Sequence, residues 1–398
     1  MPDARLLGGI TREIALIPPL SDKPITGDRY TSREFMEREW EGMWTKVWLV
    51  AGRVDQVPNA GDYINYQIGR ESILCVRGSD GRIRAFYNVC KHRGHELVQG
   101  DGSARALVCP YHAWSFSLDG QLKTARKTDH LPDFDRSTIC LDGVRVEEFA
   151  GFIYVNLDTN AVPLLEWLDP LPRLLADVAA SPMRVIDTKT VEIGCNWKIL
   201  AEGFLEVYHA RTVHPTTVAP TLDTRGTVIS LFDHGHQNML SPVRPGTRGD
   251  GRETLGTLEH LPAVFAAGIQ PAHGIFPQII TPMDARGFPF MVFWPVAIDR
   301  TRLDIVWFAA DWGDGELPAR DVWQKRLDRF DVLMDEDYIN LEPIQRSMEH
   351  AVHGGQVINY QERRIWHVHA WIDKVIGQQH IAEHLRVPDL LADWVETV

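Results

Sequence analysis

The chain has 398 residues, a length at which two domains are more common than a single hydrophobic core. Hydrophobic residues make up 44% of it and charged residues 24%, which is ordinary for a soluble globular protein. The formal net charge of −13 argues against nucleic-acid binding, because affinity for phosphates requires a basic face.

The N-terminal residues and the cysteine content predict the compartment. The apolar run at the N-terminus is broken by Arg12 and Glu13, so neither a signal peptide nor a membrane-spanning helix can be recognised there. No later window is apolar over the length of a membrane span. Five cysteines in a chain of this length do not form a disulfide framework. We therefore expect a cytoplasmic protein without membrane attachment.

The first predicted elements are a helix and a β-rich domain. Thr31 and Glu34 have the spacing of a capping box and open a helix that carries three aromatic residues. After it, short β-rich runs are separated by a Gly-Ser-Asp-Gly turn and continue to "GFIYVNL", which predicts antiparallel strands. We expect an N-terminal segment and helix over residues 1–41 and a β-rich domain over residues 42–160.

The remainder, residues 161–398, predicts a second domain of the α+β class. "FPFMVFWPVAIDRTRLDIVWFAADW" predicts two long strands joined by a turn. The apolar stripe that follows it predicts a long helix, interrupted at Pro343. The pattern indicates helices packed on an antiparallel sheet.

Two short pairs of metal-binding residue types stand in the first domain. They are Cys90 with His92 and Cys109 with His112. Two thiolates and two imidazoles suit zinc or an iron–sulfur cluster. Because each pair mixes one Cys with one His, a two-iron cluster can take both cysteines on one iron and both histidines on the other. A domain of this size also has a core without a zinc staple, so we favour [2Fe–2S] and keep structural zinc as the alternative.

The second domain contains a candidate metal site of a different kind. On a helix, Glu202, Glu206 and His209 would lie within about 60° of one another. Pro215 disfavours helix at His214, so the chain is expected to turn there and bring His214 back toward His209. Two histidines need a third ligand to form an iron site of the two-histidine, one-carboxylate type.

The long helix supplies a candidate for that ligand. Its apolar stripe has one interruption, Asp337, and a carboxylate aimed at a core is costly unless it is paired or bound to a metal. The alternative is a buried aspartate bonded to an arginine or to helix N–H groups. Asp331, Asp335 and Glu336 lie off the stripe and are predicted to be solvated.

The segment "CKHRGHELVQGDGSARALVCPYHAWSFSLDG" resembles the cluster motif of the Rieske-type non-haem iron oxygenases, in their terminal (alpha) component. "EGFLEVYHARTVHP" and "EDYINLEPIQ" are similar to the segments of the same family that bind its catalytic iron. The resemblance implies a Rieske domain and a helix-grip-like catalytic domain. It assigns Cys90, His92, Cys109 and His112 to the cluster, and His209, His214 and Asp337 to a mononuclear Fe(II).

Glu206 stands where many ring-hydroxylating members have Asp. In the family this residue bridges a cluster histidine of one subunit to an iron-binding histidine of its neighbour, and we expect Glu206 to couple the two centres. The alternative is a carboxylate that only fixes the tautomer of His209. Glu at this position resembles the branch that oxidises choline, carnitine, betaines and other N-methyl compounds. The implied reaction is hydroxylation or oxidative demethylation with O2, and ring cis-dihydroxylation is the alternative.

The resemblance also implies partners. The sequence has no Gly-rich dinucleotide fingerprint, so electrons from NAD(P)H are expected through a separate ferredoxin or flavin reductase. Five basic residues near the cluster loops could dock an acidic redox partner or form an ordinary solvated surface: Lys91, Arg93, Lys123, Arg126 and Lys127. Family members are usually homotrimers.

The alternative from another functional class is a Rieske electron carrier, or a binding protein with a structural zinc ion, that has no oxygenase activity. Such a protein would not need the second metal site of His209, His214 and Asp337.

The substrate is expected to be a small molecule held in an apolar pocket. Walls are predicted from "GHQNMLSP", "GIFPQIITPM" and "FMVFWP". Four aromatic residues could line it or belong to the core of the sheet: Phe290, Phe293, Trp294 and Trp307.

Overall fold

A computed structural model describes residues 20–21, 23–247, 251–260, 263–350 and 352–396. The chain divides into two units, one formed by Trp44–Trp167 and the other by Met1–Met43 with Leu168–Val398. No described helix is long and apolar enough to cross a membrane. Arg12 and Glu13, on which the expectation about a signal peptide was based, lie outside the described residues.

The unit of residues 44–167 is built almost entirely from antiparallel strands. They are β1 Leu49–Arg53, β2 Asp62–Ile68, β3 Glu71–Arg77, β4 Ile83–Tyr87, β5 Gly102–Ser103, β6 Leu107–Val108, β7 Ser115–Phe116, β8 Leu122–Thr124, β9 Gly143–Phe149 and β10 Phe152–Asn156. Seven of them form a sheet in the order β1-β10-β9-β4-β3-β2-β5, and β6-β7-β8 form a small second sheet. The Gly-Ser-Asp-Gly turn joins β3 to β4, where Gly81 takes the positive φ of +79° that glycine accepts without strain.

The other unit places helices on one large sheet. Its strands are β11 Met183–Ile193, β12 Val228–Leu231, β13 Gln237–Pro242, β14 Ile269–Ile275, β15 Ile279–Pro282, β16 Gly287–Ala297 and β17 Arg300–Ala310. They are antiparallel in the order β11-β17-β16-β15-β14-β13-β12. The two long strands predicted from the sequence are β16 and β17, which pair along almost their whole length. The predicted α+β class, with a β-rich domain and an antiparallel sheet carrying helices, is confirmed.

The described helices include several short ones and two long ones. They are α1 Asp28–Thr31, α2 Arg33–Glu39, α3 Leu164–Trp167, α4 Leu171–Leu174, α5 Ala176–Ala180, α6 Trp197–Gly203, α7 Ala210–Val213, α8 Ala263–Ala266, α9 Arg320–Met348 and α10 Arg363–Ile376. A π-helical turn, Trp40–Trp44, follows α2.

Two predicted helix details are wrong. The N-cap of α2 is Ser32, whose hydroxyl accepts from the Phe35 N–H, and Thr31 ends the preceding helix instead. The long helix α9 continues through Pro343 without interruption. Pro343 lies on the exposed face of α9, where water can satisfy the carbonyl that the missing N–H leaves free.

Candidate metal centres

The four cluster residues lie on two loops of the same design. Cys90 and His92 follow β4, and Cys109 and His112 lie between β6 and β7. In each loop the cysteine N–H bonds to the carbonyl five residues later, and the cysteine carbonyl accepts from the N–H four residues later. Both cysteines are 2% exposed, and the two histidine Nδ1 atoms face each other at 3.1 Å. The loops therefore present thiols on the inner side and imidazoles on the outer side.

The environment of these loops suits a metal cluster. Burial raises the pKa of the Cys90 thiol, and the neighbouring Cys109 thiol raises it further. A cation is the usual means of making such buried thiols ionise. Partial burial and the neighbouring His92 lower the pKa of His112, which keeps its imidazole neutral and able to bind a metal. The Trp114 ring stacks on the His92 ring, with ring centres 4.8 Å apart, and so packs one cluster loop against the other. The donor set thus fits a [2Fe–2S] cluster.

The second set of predicted ligands also comes together. His209 Nε2 lies 3.6 Å from Asp337 Oδ1, and His214 Nε2 lies 2.9 Å from the same oxygen. One donor atom from each of the three residues lies within 4.8 Å of the other two. These are the donors of a two-histidine, one-carboxylate iron site, so the residues fit a mononuclear Fe(II).

The local route to this geometry differs from the prediction. Helix α6 ends at Gly203, so Glu202, Glu206 and His209 do not share a helical face. The Glu206 carboxylate accepts from the backbone N–H groups of Tyr208 and His209, and such local bonds compete with helix continuation. His209 then caps the start of α7, and His214 ends it with φ of −116°.

Each histidine of the site is held on its far side by a carboxylate. Glu206 bonds to Nδ1 of His209, and Glu336 accepts from Nδ1 of His214 at 2.7 Å. Thr217 donates its hydroxyl to the same Glu336 oxygen. Because Nδ1 carries the proton in both rings, both Nε2 lone pairs are directed toward Asp337 and available to a metal.

The position of Glu336 corrects the prediction that this residue is solvated. It lies off the apolar stripe of α9 because its partner is the loop that carries His214 rather than the core. The only sequence signal for it was its position next to Asp337.

The carboxylates also set the charge of the imidazoles. Burial alone lowers the pKa of His209, but the bond to Glu206 and the charges of Glu206 and Asp337 outweigh it, and the pKa is raised. Burial likewise lowers the pKa of His214, and the bonds to Asp337 and Glu336 reverse the direction. The site therefore favours positive charge where the ligands meet, whether as protons or as a metal ion.

A cavity of about 240 Å³ adjoins these ligands. Its walls come from the loop of residues 203–222, from the sheet and from α9. The predicted wall segments contribute Met239, Ile280, Pro282 and Met291. Of the four aromatic candidates only Trp307 lines this cavity; Phe290 and Trp294 alternate with Met291 along β16 and are buried on the other face. Phe204 and Phe330 line it as well, although neither was predicted.

Comparison with known protein families agrees with both centres. Residues 47–135 match the family described as "Rieske [2Fe-2S] domain". Residues 181–378 match "Ring hydroxylating alpha subunit (catalytic domain)". The chain belongs to the Rieske-type non-haem iron oxygenases. As a terminal component of this family it carries a Rieske [2Fe–2S] cluster and a mononuclear iron.

Several relatives of this Rieske oxygenase have been named. It is 42% identical over 192 residues to the carnitine monooxygenase oxygenase subunit of Escherichia coli (strain K12), which is 47% of this chain and 50% of that protein. It is 32% identical over 195 residues to the glycine betaine monooxygenase oxygenase subunit of Pseudomonas aeruginosa (strain UCBPP-PA14), and the match covers 49% of this chain and 45% of that protein. The chain thus spans about half the length of these curated relatives in the matched region.

A solved structure covers more of the Rieske oxygenase. It is a quaternary ammonium Rieske monooxygenase in complex with L-carnitine, with a TM-score of 0.73 and 25% identity over 90% of this chain and 96% of that chain.

Proposed function

We propose that this chain is the terminal oxygenase that hydroxylates or oxidatively demethylates a small N-methyl compound. The observation that carries the proposal is the ligand set of His209, His214 and Asp337 opening onto a mainly apolar cavity of about 240 Å³. The named relatives act on carnitine and glycine betaine, which are N-methyl compounds. Trp307 and Phe330 add aromatic faces to the cavity, and such faces attract a methylated ammonium group.

We assign the residues as follows. Cys90, His92, Cys109 and His112 hold the cluster; His209, His214 and Asp337 hold the iron. When bound, the two metal centres supply the electron transfer and O2 activation that the reaction needs. Residues 42–160 form the cluster domain and residues 161–398 the catalytic domain. Glu206 keeps the proton of His209 on Nδ1 and couples the two centres.

The cavity walls have a separate part in the reaction. Met239, Met291 and Trp307 exclude water from the ligand side of the site and hold the substrate near it without binding the metal. A cavity with few waters limits the access of bulk solvent to the reacting atoms.

The electron source is a separate protein. We propose a ferredoxin or flavin reductase that takes electrons from NAD(P)H. Lys91, Arg93 and Lys123 are exposed near the cluster loops of an otherwise acidic chain, so an acidic partner would be steered there. We further propose a cytoplasmic homotrimer in which the cluster of one subunit serves the iron of the next.

The test is metal analysis followed by turnover. Anaerobically purified protein should contain about three irons and two acid-labile sulfides per chain, with a Rieske-type EPR signal after dithionite reduction. With a surrogate reductase, NADH and O2, it should then hydroxylate an N-methyl compound or release formaldehyde from it. Zinc without sulfide would overturn the oxygenase assignment. Full metal content with turnover of aromatic rings instead would favour cis-dihydroxylation.

A further inference from the structure

A second cavity, of about 380 Å³, lies beside the iron ligands and reaches a buried carboxyl group that belongs to neither proposed ligand set. Its walls include His209 and Asp337 and also Glu202 and Gln356. Asn340, another wall residue, is exposed, so the cavity opens to solvent. A cavity of this size with polar walls has room for ordered water. It therefore connects solvent, Glu202 and the iron ligands.

The two carboxyl oxygens of Glu202 have different surroundings. Oε1 accepts from the Tyr30 hydroxyl at 2.9 Å and from Nε2 of His369 at 2.8 Å. Arg29 donates to Nδ1 of His369, so this imidazole carries its proton on Nε2. Oε2 accepts at 3.1 Å from Gln356, which is itself a wall of the second cavity. Both lone pairs of Oε1 are thus occupied, and a carboxyl proton belongs on Oε2, toward the cavity.

The charges around Glu202 favour the protonated form. Arg29 pairs with Asp373 at 2.7 Å, and Lys198 pairs with Glu39 at 2.7 Å, all four side chains being buried. These two pairs balance, so the buried cluster has no net charge when Glu202 is protonated, and a buried net charge is costly. Burial accordingly raises the pKa of Glu202 to about 7.

The other titratable groups near Glu202 come from every element packed against it. Burial lowers the pKa of His369 well below its usual value, so its imidazole stays neutral. Burial raises the pKa of Tyr30 well above its usual value, so its hydroxyl keeps its proton. The full set is Arg29 and Tyr30 of α1, Glu39 of α2, Cys195 before α6, Lys198 of α6, His369 and Asp373 of α10, and, as walls of the cavity, Glu206, His209, Asp337 and Glu362.

We propose that Glu202 holds a proton for the oxygenation reaction and passes it through water in the second cavity toward the iron ligands. Insertion of one oxygen atom of O2 with release of the other as water takes up two electrons and two protons, and cis-dihydroxylation takes up the same number. The proposal therefore rests on the oxygenase activity of the family and not on the N-methyl substrate.

The proton transfer needs no oxidant or reductant beyond those of the oxygenation itself. The Oε2–H bond of Glu202 breaks and the proton passes to cavity water. The carboxylate that remains is stabilised by its three hydrogen-bond donors, Tyr30, His369 and Gln356, until solvent returns a proton through the same cavity. Because Glu202 acts through water, it is a positioning residue for the proton rather than a group that touches the reacting atoms.

Infrared difference spectroscopy tests the stored proton without any turnover. In anaerobic, metal-loaded wild type, the C=O stretch of a protonated carboxyl group should titrate with a pKa of about 7. The band should be missing from Glu202→Gln and retained in Glu349→Gln, a matched change at an exposed position. If Glu202→Gln removed no such band, Glu202 would be ionised in the folded protein and the proposal would be overturned.

Single-turnover reoxidation tests whether the proton is used. The reduced protein is mixed with O2 and an N-methyl compound, or with O2 alone if no such compound is oxidised, and the cluster absorbance is followed. The wild-type rate should fall as the pH rises through about 7. Glu202→Gln should be about 10- to 100-fold slower below that pH and lack this pH dependence, since the amide still accepts hydrogen bonds but has no acidic proton.

The conservative variant separates proton transfer from a purely structural role. Glu202→Asp can hold a proton and should recover part of the rate together with the pH dependence. A slow Glu202→Gln protein that kept the wild-type pH dependence would show that Glu202 only orders the helices, and would overturn the proposal, as would an unchanged rate. Failure to oxidise any N-methyl compound would instead count against the proposed function, because neither the infrared band nor reoxidation requires that substrate.

Discussion

At the scale of single residues, the mononuclear site depends on which ring nitrogen of each histidine carries the proton. Glu206 and Glu336 occupy the Nδ1 sides of His209 and His214, and Asp337 faces both Nε2 atoms. The ring atoms that we propose as metal ligands are thus selected by carboxylates on the far sides of the two rings. The ligand and its supporting carboxylate can be tested separately, because Glu336 and Asp337 are adjacent on one helix.

Asp337→Ala should remove the mononuclear iron and leave the cluster in place. Two imidazoles alone are a poor site for Fe(II), which binds them well only with an anionic oxygen ligand. Iron should fall from about three to about two per chain while sulfide and the Rieske EPR signal stay unchanged. Asp335→Ala is the control, since Asp335 is exposed two residues away. Full iron content in the variant would remove Asp337 from the ligand set.

Glu336→Gln should weaken iron binding without abolishing it. The amide can still accept the His214 Nδ1–H, but it lacks the charge that makes the ring a stronger ligand. We expect the Fe(II) dissociation constant to rise about tenfold, at the lower end of what such outer carboxylates contribute. Chelator competition followed by iron analysis measures it, with Asp335→Asn as the matched control. Unchanged affinity would mean that Thr217 and Glu336 only order the loop.

At the scale of elements, a buried polar network joins three helices of the catalytic unit. Glu202 on α6 accepts from Tyr30 of α1 at 2.9 Å, bonds to His369 of α10 at 2.8 Å and accepts from Gln356 at 3.1 Å. Burial raises the pKa of Glu202 to about 7, and the bonds from Tyr30 and Gln356 with the charges of Lys198 and Arg29 only partly offset that effect. Glu202 therefore keeps its proton in the folded state at pH values where an exposed glutamate has lost it.

The raised pKa predicts how stability depends on pH. With a folded pKa of about 7 and an ordinary value of 4.5, the folded state binds the Glu202 proton more tightly than the unfolded state. Its contribution is fully present below pH 4.5 and is lost as the pH rises through 7. Glu202→Gln cannot lose a proton, so its free energy of unfolding relative to wild type should rise by up to about 3 kcal/mol between acidic and alkaline pH.

Chemical denaturation at several pH values measures this difference. Glu349→Gln, an exposed change just beyond α9, is the control and should follow the wild-type pH dependence. A constant difference between Glu202→Gln and wild type at all pH values would contradict the prediction.

The sequence predicted elements where the signal is local and periodic. The strands β2, β3, β4, β16 and β17 follow from β-rich runs between turn residues, and α9 follows from its apolar stripe. The end of α6 was not predicted, because the competing bonds come from the side chain of Glu206 to the loop after it. Glu336 was missed because its partner His214 lies 122 residues away, and no local pattern records a contact of that range.

The residues that line the cavity could likewise not be predicted from the sequence pattern alone, because they depend on how the sheet packs against α9. Trp307 and Phe290 are both aromatic residues on neighbouring strands, but of these two only Trp307 lines the cavity. Which face of β16 and β17 meets α9 is decided by register and by the fit of side chains. The arginines among the lining residues come from α9 and from the segment around Arg252, which gave no sequence signal.

At the scale of the whole molecule, the proposed trimer predicts complementation between two inactive chains. From the proposed ligand sets, Asp337→Ala should retain the cluster and His112→Ala should retain the mononuclear iron. If electrons pass from the cluster of one subunit to the iron of the next, a co-expressed mixture contains productive pairs although neither variant is active alone. Random assembly of equal amounts gives about a quarter of wild-type turnover, because each productive site needs an intact iron in one subunit and an intact cluster in its neighbour.

Separately purified variants mixed without subunit exchange are the control for this experiment and should stay inactive. Co-expressed chains carrying tags of two kinds, purified through both tags, contain only mixed trimers. Each mixed trimer has one productive pair among its three sites, so about a third of wild-type turnover is expected after this purification. If electrons instead passed within a subunit, no mixed oligomer would regain turnover, since every chain would lack one of its two centres. Adding Glu206→Gln to the His112→Ala chain then asks whether the recovered activity passes through the Glu206 carboxylate. Recovery in the doubly purified trimers should fall sharply if Glu206 couples the centres and stay near about a third of wild type if it only orients His209.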